Sequence, residues 1–124
     1  MFGNTRRGVV VAFNEAELES ITRIVGDFCS RHSPEEHADE LRMVWDLDGH
    51  AVTVSEERPA WDDPREWMRS PVARFRFART TGEWTLYWMR ADLKWHVYDP
   101  DPMPRDLAAL VALVDEDKYC AFFG

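Results

Sequence analysis

Apolar and polar side chains alternate with a period of two through five stretches of this sequence, and this alternation limits the possible folds more than any other feature. Successive side chains of a strand point to opposite faces of a sheet, so each stretch predicts a strand with one buried face. Asp48 and Gly49 supply a two-residue type I′ turn between the first two stretches. The pattern therefore predicts a five-stranded antiparallel meander. Its apolar positions are Leu41, Met43, Trp45 and Leu47; Val52 and Val54; Ala73, Phe75 and Phe77; Trp84, Leu86 and Trp88; and Leu93, Trp95 and Val97.

Helical patterns flank the predicted sheet on both sides. Asn14 can cap a helix whose N3 position holds Glu17, as in a capping box. Phe13 and Leu18 form the hydrophobic staple of the same helix start. After the last strand, apolar residues recur at helical spacing over residues 107–114. We therefore predict an α+β fold: an N-terminal helix, a five-stranded antiparallel meander with the helices packed on one face, and a C-terminal helix.

The length of the chain, 124 residues, suits one hydrophobic core. We predict a single globular α+β domain over residues 13–124, preceded by an N-terminal segment, residues 1–12, that is flexible or adds an edge strand. No apolar run reaches the roughly 20 residues that cross a bilayer, and the apolar stretch near the start is too short for a secretory signal. We therefore expect a cytoplasmic protein that does not bind a membrane.

Residues that hold metals or cofactors are sparse in this sequence. Cys29 and Cys120 lack the spacing and the partners of a zinc site, so we predict two reduced thiols. Asp62 and Asp63, with Glu56, Glu57 and Glu66, could supply oxygen ligands to a hard cation. Asp63 and Glu66, however, also fit the cap and N3 positions of a short helical turn. We therefore predict no metal site and no cofactor.

Two turns determine which side chains share a face in the second half of the sheet. A tight two-residue turn after Arg90 pairs that residue with Leu93. A four-residue loop over residues 80–83 pairs Arg79 with Trp84. With this pairing the core face of the last three strands receives an apolar set. Its members are Phe75, Phe77, Trp84, Leu86, Trp88, Leu93, Trp95 and Val97.

The opposite face of the predicted sheet is basic and aromatic, and Arg76, Tyr87 and His96 form one row across it. Aromatic rings between cations suit stacking on bases, cation–π contacts or the capture of an acidic segment. An ordinary solvated face, which also carries Arg, Lys and Tyr, is the alternative. The net charge of −8 argues against sequence-independent nucleic-acid binding, although a local basic patch leaves that partner open. The candidate binding residues are Arg74, Arg76, Tyr87, Lys94, His96 and Tyr98.

Candidate catalytic residues form no complete set. His96 beside Tyr87 suits a general base, but no serine or cysteine nucleophile motif lies nearby. Asp92 and Lys94 fit the acid-x-Lys element of metal-dependent nucleases. Lys118, the other lysine of the chain, also follows an acid by two positions, so this pattern discriminates little. We therefore predict no catalytic residue and favour a role without catalysis.

Four segments of the sequence resemble a known family. They are Arg58–Trp67 (RPAWDDPREW), Pro71–Arg76, Trp84–Trp88 and Asp92–Pro100 (DLKWHVYDP). With these segments the chain resembles a bacterial family known only as a domain of unknown function, which carries RPxWDDPxEW and DLKWHxYxP motifs. The resemblance runs from about Phe13 to the C-terminus and implies one intact domain. It implies no activity, cofactor or catalytic residues.

Three functional hypotheses remain open at this point. The leading one is a non-catalytic binding or interaction module that uses the basic and aromatic face, with a protein, a single-stranded nucleic acid or a small anion as its partner. A structural homodimer through the same face is suggested by Tyr87 and Met89. The rival is a hydrolytic, nuclease-like enzyme whose site at the sheet edge holds Glu57, Asp92, Lys94 and His96.

Overall fold

The structure of the chain is a computed structural model, and it describes residues 12–117 and residue 122. The predictions for residues 1–11 and for Cys120 lie outside the described residues. In chain order the elements are α1 (Glu15–Arg31), a 3₁₀ turn (Glu35–His37), β1 (Arg42–Asp48), β2 (Ala51–Pro59), β3 (Trp67–Ala78), β4 (Glu83–Met89), β5 (Trp95–Val97) and α2 (Leu107–Glu116). The predicted α+β class and element order are confirmed.

Helix α1 begins with the predicted capping box. The Glu17 N–H donates to Asn14 Oδ1 at 2.8 Å, and the Asn14 N–H donates to Glu17 Oε1 at 3.0 Å. This exchange satisfies donors that a helix start otherwise leaves without partners. The buried stripe of the helix is Ile21, Val25, Phe28 and Cys29. Burial raises the pKa of the Cys29 thiol to about 12, so this thiol stays protonated at neutral pH.

The five strands form one open antiparallel sheet in the order β1-β2-β3-β4-β5, which is the predicted meander. Both helices pack on one face of it. The Ala109 N–H donates to the Asp106 side chain at the start of α2. The face turned away from α1 and α2 is called the open face below. Within the described part of the chain, no helix is long and apolar enough to cross a bilayer. The core joins helix residues such as Phe28 and Leu110 to sheet residues such as Trp45 and Phe75.

The turn between β1 and β2 differs from the predicted type I′ turn. Asp48 pairs with Ala51, so the loop consists of Gly49 and His50. Gly49 has a φ of 58°, whereas His50 does not have a positive φ. A type I′ turn needs a positive φ at both central residues, so the predicted turn type is wrong. The register still directs the alternate residues of β1 into the core, namely Met43, Trp45 and Leu47.

The connection between β2 and β3 is a hydrogen-bonded loop and not the predicted turn of helix. The Arg65 N–H donates to Asp63 Oδ1 at 3.1 Å, and the Glu66 N–H donates to the Asp63 carbonyl at 3.0 Å. These bonds close a turn around Asp63 without continuing into a helix. Trp61, in the same loop, is 92% exposed.

A bulge in β3 affects which arginines reach the open face. Val54 pairs with Ala73 and Ser55 pairs with Pro71, so β3 holds one extra residue at this point. Arg69 and Arg74 are five positions apart and would face opposite sides of a regular strand. Because of the bulge, both lie on the open face.

Candidate binding surface

The loop between β4 and β5 has three residues, 91–93, and not the two that were predicted. The Arg90 N–H donates to the Lys94 carbonyl at 3.2 Å, and the Leu93 N–H donates to the Arg90 carbonyl at 2.8 Å. Leu93 has a φ of 62°, the left-handed conformation that ends many three-residue hairpin loops. The extra residue moves the register of β5 by one position, and a shift by one exchanges the two faces of a strand.

Three of the six predicted binding residues therefore lie away from the open face. His96 pairs with Trp88, which packs against the core from the helix-bearing side. Tyr98 follows on that side, is 3% exposed, and meets the Trp88 ring edge-on with the two ring centroids 5.0 Å apart. Lys94 precedes β5 and is exposed. The predicted six-residue face is thus wrong for these three positions, because the loop is one residue longer than expected.

Arg74, Arg76 and Tyr87 do share the open face, but in a different register from the predicted one. Arg74 pairs with Tyr87, and Arg76 pairs with Thr85. The loop before β4 covers residues 79–82 and not 80–83, so the register differs by two positions. A shift by two keeps every side chain on its face. The predicted row of Arg76, Tyr87 and His96 is therefore not formed, although its first two members remain neighbours.

Apolar residues of β5 that were predicted for the core lie on the open face, in place of the predicted binding residues His96 and Tyr98. Val97 pairs with Tyr87, and Trp95 pairs with Met89. Val97 is 40% exposed, and Leu93 in the preceding loop is 80% exposed. Leucine is not a residue type that indicates a left-handed conformation, so the sequence did not indicate the three-residue loop. Without that loop length, alternation alone could not place Trp95 and Val97 on the open face. We call the resulting set the basic–apolar surface; it consists of Arg74, Arg76, Tyr87, Met89, Trp95 and Val97.

The two arginines of the basic–apolar surface differ in their partners. Arg74 Nη2 lies 4.0 Å from Asp48 Oδ2, beyond the distance of a hydrogen bond. Arg76 is exposed and makes no ion pair with any residue that the structure describes. Its neighbours across the strands, Ala51 and Thr85, are small. The Arg76 guanidinium is therefore the more available of the two charges.

A cleft of about 410 Å³ opens beside Arg76, at the end of the sheet that holds the turn between β1 and β2. Phe77 and Ala78 are the apolar residues among those that line it, although the Phe77 ring packs against Trp84 on the helix-bearing side. No aspartate or glutamate of the described residues lines it, although the chain has 23 acidic residues and 15 Lys and Arg residues. The polar side chains that line the cleft are His50, Arg76, Arg79, Thr80, Thr85 and Tyr87.

A second cluster of charges on the open face is neutralised internally. Glu57 is 8% exposed and accepts hydrogen bonds from Arg42 Nε at 2.7 Å and from Arg69 Nη2 at 2.8 Å. Arg69 also donates to Asp46 at 2.6 Å, and the Arg42 guanidinium lies 3.9 Å from the centroid of the Trp67 ring. Burial raises the pKa of Glu57, but the hydrogen bonds from Arg42 and Arg69 outweigh it, and the pKa lies below its ordinary value. Glu57 therefore holds three strands together as a carboxylate.

The residues of the predicted hydrolytic site are not brought together. Asp92 Oδ2 lies 2.8 Å from His96 Nε2, and the Lys94 N–H donates to Asp92 Oδ1 at 3.0 Å. The hydrogen bond from His96, followed by that from the Lys94 backbone, lowers the pKa of Asp92. Glu57 lies on β2, and strands β3 and β4 separate it from this loop. In the described ranges, no group of three or more His, Cys, Asp or Glu side chains is arranged to hold a metal ion.

An apolar groove on the helix-bearing side was not predicted from the sequence. It has a volume of about 530 Å³ and lies between α1, the start of α2 and the adjoining ends of β3 and β4. No single segment of the sequence marks this groove, since its wall comes from four elements. The apolar side chains that line it include Ile21, Ile24, Phe77, Trp84 and Leu107.

Comparisons with known proteins bear on the identity of the whole domain. A search of the curated proteins finds no match to the chain, and neither does a search of the solved structures. One family model, described as Domain of unknown function (DUF3024), matches residues 13–124. The match spans the domain from the residue before the α1 cap to the C-terminus and confirms the resemblance seen in the sequence. The chain therefore belongs to the family described as Domain of unknown function (DUF3024).

Proposed function

We propose that this domain is a non-catalytic binding module whose partner is a protein segment with acidic and apolar side chains. The observation that supports the proposal is the position of Arg76, which is exposed, has no ion pair among the described residues, and shares a face with partly exposed apolar side chains. Arg76 can bind an acidic side chain of the partner, and the neighbouring apolar side chains can pack against its apolar ones.

The charge of the other sheet arginines is already balanced. Arg42, Arg58 and Arg69 lie 2.7, 2.6 and 2.6 Å from a carboxylate oxygen. Arg74 is 4.0 Å from its nearest carboxylate, and Arg76 forms no ion pair with any carboxylate of the described residues. A guanidinium without a partner gains most from an incoming carboxylate, because the new hydrogen bonds replace only water. Arg76 is therefore the residue at which an acidic partner is expected to bind.

The apolar half of the surface supports a protein partner over a free anion. Tyr87, Met89, Trp95 and Val97 form two adjacent cross-strand pairs on the open face. Tyrosine, tryptophan, methionine and arginine are the residue types enriched in protein interfaces, and every member of the basic–apolar surface except Val97 belongs to them. A partner that covers these side chains removes apolar area from water, which a free anion does not do.

The proposal is tested by affinity capture from cell extract with the full chain as bait, followed by quantitative mass spectrometry. Arg76→Glu and Trp95→Ala change the two halves of the surface separately. Arg23→Glu is the matched control, because Arg23 is exposed on α1, on the other side of the sheet. We expect the same proteins to be lost with both surface variants and kept with the control. Identical protein sets from all four baits would refute the proposal.

A second candidate function is a structural homodimer through the open face. The observation that favours it is the partial exposure of Trp95 and Val97 on β5, which is an edge strand. Exposed apolar patches commonly mark contacts between chains. In a two-fold dimer each copy contributes the same patch. Light scattering after size exclusion, over a range of protein concentrations, tests it. We expect Trp95→Asp to abolish a dimer, and a wild-type chain that stays monomeric throughout refutes this candidate.

A further inference from the structure

The cleft beside Arg76 differs from the remainder of the acidic chain in the donors that line it. Thr80 and Thr85 contribute hydroxyl groups, and Tyr87 contributes a phenol. Arg76 contributes a guanidinium without an ion pair among the described residues, and His50 adds an imidazole. No carboxylate of those residues lines the cleft. The cleft therefore presents the Arg76 charge to a ligand without a carboxylate in its lining.

Arg79 lines the same cleft but offers no free charge. Its Nη2 donates to Glu17 Oε1 at 2.8 Å and to the Ala12 carbonyl at 2.7 Å, and its Nη1 donates to Glu17 Oε2 at 3.1 Å. These hydrogen bonds hold the Arg79 side chain in place and link the start of α1 to the end of β3. Arg76 must therefore bind the charge of an anionic ligand, and the hydroxyl groups that line the cleft can donate further hydrogen bonds to it.

We infer that this cleft binds a phosphate monoester carried on an aromatic body, an inference that rests on the proposed function and names the anionic group of its partner. A phosphate presents three acceptor oxygens, which match a guanidinium and several hydroxyl donors better than the two oxygens of a carboxylate. Tyr87 lies on the open face, lines the cleft, and its ring can pack against an aromatic body. The volume of about 410 Å³ lies in the range of small-ligand sites and exceeds the needs of a free ion.

The test is a nuclear magnetic resonance titration of the ¹⁵N-labelled full chain with phenyl phosphate at pH 7.5 and low salt. We expect the largest amide shifts at Arg76, Thr85 and Tyr87. Arg76→Gln should weaken binding about tenfold, because it removes charge-assisted hydrogen bonds. Thr85→Val should weaken it less, and Arg23→Gln on α1 should leave it unchanged. The binding should also weaken as sodium chloride is added.

Parallel titrations with benzoate, glycerol 3-phosphate and inorganic phosphate separate the parts of the inference. Equal binding of benzoate overturns the phosphate assignment, and equal binding of glycerol 3-phosphate or inorganic phosphate overturns the aromatic body. Absence of shifts in the cleft overturns both. If partner capture depends on Trp95 and Arg76 while phenyl phosphate does not bind, this inference fails and the binding module stands. If phenyl phosphate binds while capture is unaffected by both variants, the proposed function fails.

Discussion

Truncation of Tyr98 and of Val97 to alanine should have very different effects on stability. Tyr98 is 3% exposed, and its ring centroid lies 5.0 Å from that of Trp88 and 5.2 Å from that of Phe122. Loss of a buried aromatic side chain costs about 3 to 5 kcal/mol through lost burial and the cavity that remains. Val97 is 40% exposed. Val97→Ala removes the equivalent of two partly buried methylene groups, which corresponds to about 1 kcal/mol.

The measurement is urea unfolding at pH 7, followed by far-ultraviolet circular dichroism and extrapolated linearly to water. We expect the free energy of unfolding to fall by at least about 2 kcal/mol more for Tyr98→Ala than for Val97→Ala, from the estimates above. A two-residue loop between β4 and β5 would bury Val97 and expose Tyr98, which reverses the order. A larger loss for Val97→Ala would therefore refute the register of β5 and, with it, the basic–apolar surface.

Two further predictions concern single side chains. Glu57→Gln should lower the free energy of unfolding by about 1 to 3 kcal/mol at pH 7, because it weakens hydrogen bonds from two arginines. The pKa of Glu57 is lowered in the folded state, so its contribution to stability is complete above the ordinary carboxyl pKa of about 4.3 and is lost as the pH falls through the lower folded value. Urea unfolding of wild type and variant in acid and at pH 7 measures this, and an equal difference in stability at both pH values contradicts the prediction. Glu56→Gln is the more exposed control. Leu93→Gly should raise the free energy of unfolding by up to about 1 kcal/mol, because glycine relieves the left-handed strain at a φ of 62°. Part of that gain is lost, because glycine also increases the conformational entropy of the unfolded chain. Leu93→Ala keeps the strain, so a glycine variant with a thermal midpoint no higher than that of the alanine variant would count against this reasoning.

Elements with local signals could be predicted from the sequence. The capping box of Asn14 and Glu17 needs only residues three positions apart, and both of its hydrogen bonds are present. The strand character of β1 likewise follows from its own alternation, and Met43, Trp45 and Leu47 are buried as predicted. Such signals do not depend on how distant segments pair. For that reason the order of the elements and the position of the helices on one face could also be predicted.

The faces of β5 could not be predicted, because they depend on the length of one loop. A two-residue and a three-residue connection are both compatible with the residues between Arg90 and Trp95. The conformation of Leu93 decides between them, and leucine at a positive φ is a choice that local sequence preferences disfavour. The loop before β4 was also misplaced, but the shift by two positions there moved no side chain to the other face. Whether the register error was odd or even, and not its size, determined which predicted site residues lay on the other face.

The exchange of faces in β5 changes the kind of partner that the open face suits. The predicted face held three cations, Arg74, Arg76 and Lys94, and would have drawn its affinity mainly from charge. The actual surface holds two cations and four aromatic or apolar side chains, so burial at about 25 cal/mol per Å² contributes a larger share.

The acidity of the chain as a whole does not exclude an acidic partner. The net charge of −8 repels such a partner at long range, but that repulsion is screened beyond about 8 Å at physiological ionic strength. The contact with Arg76 and the burial of Trp95 and Val97 act within that distance. Recognition of an acidic and apolar segment is therefore compatible with the charge of the whole chain, because the interactions that select the partner have a shorter range than the field that opposes it.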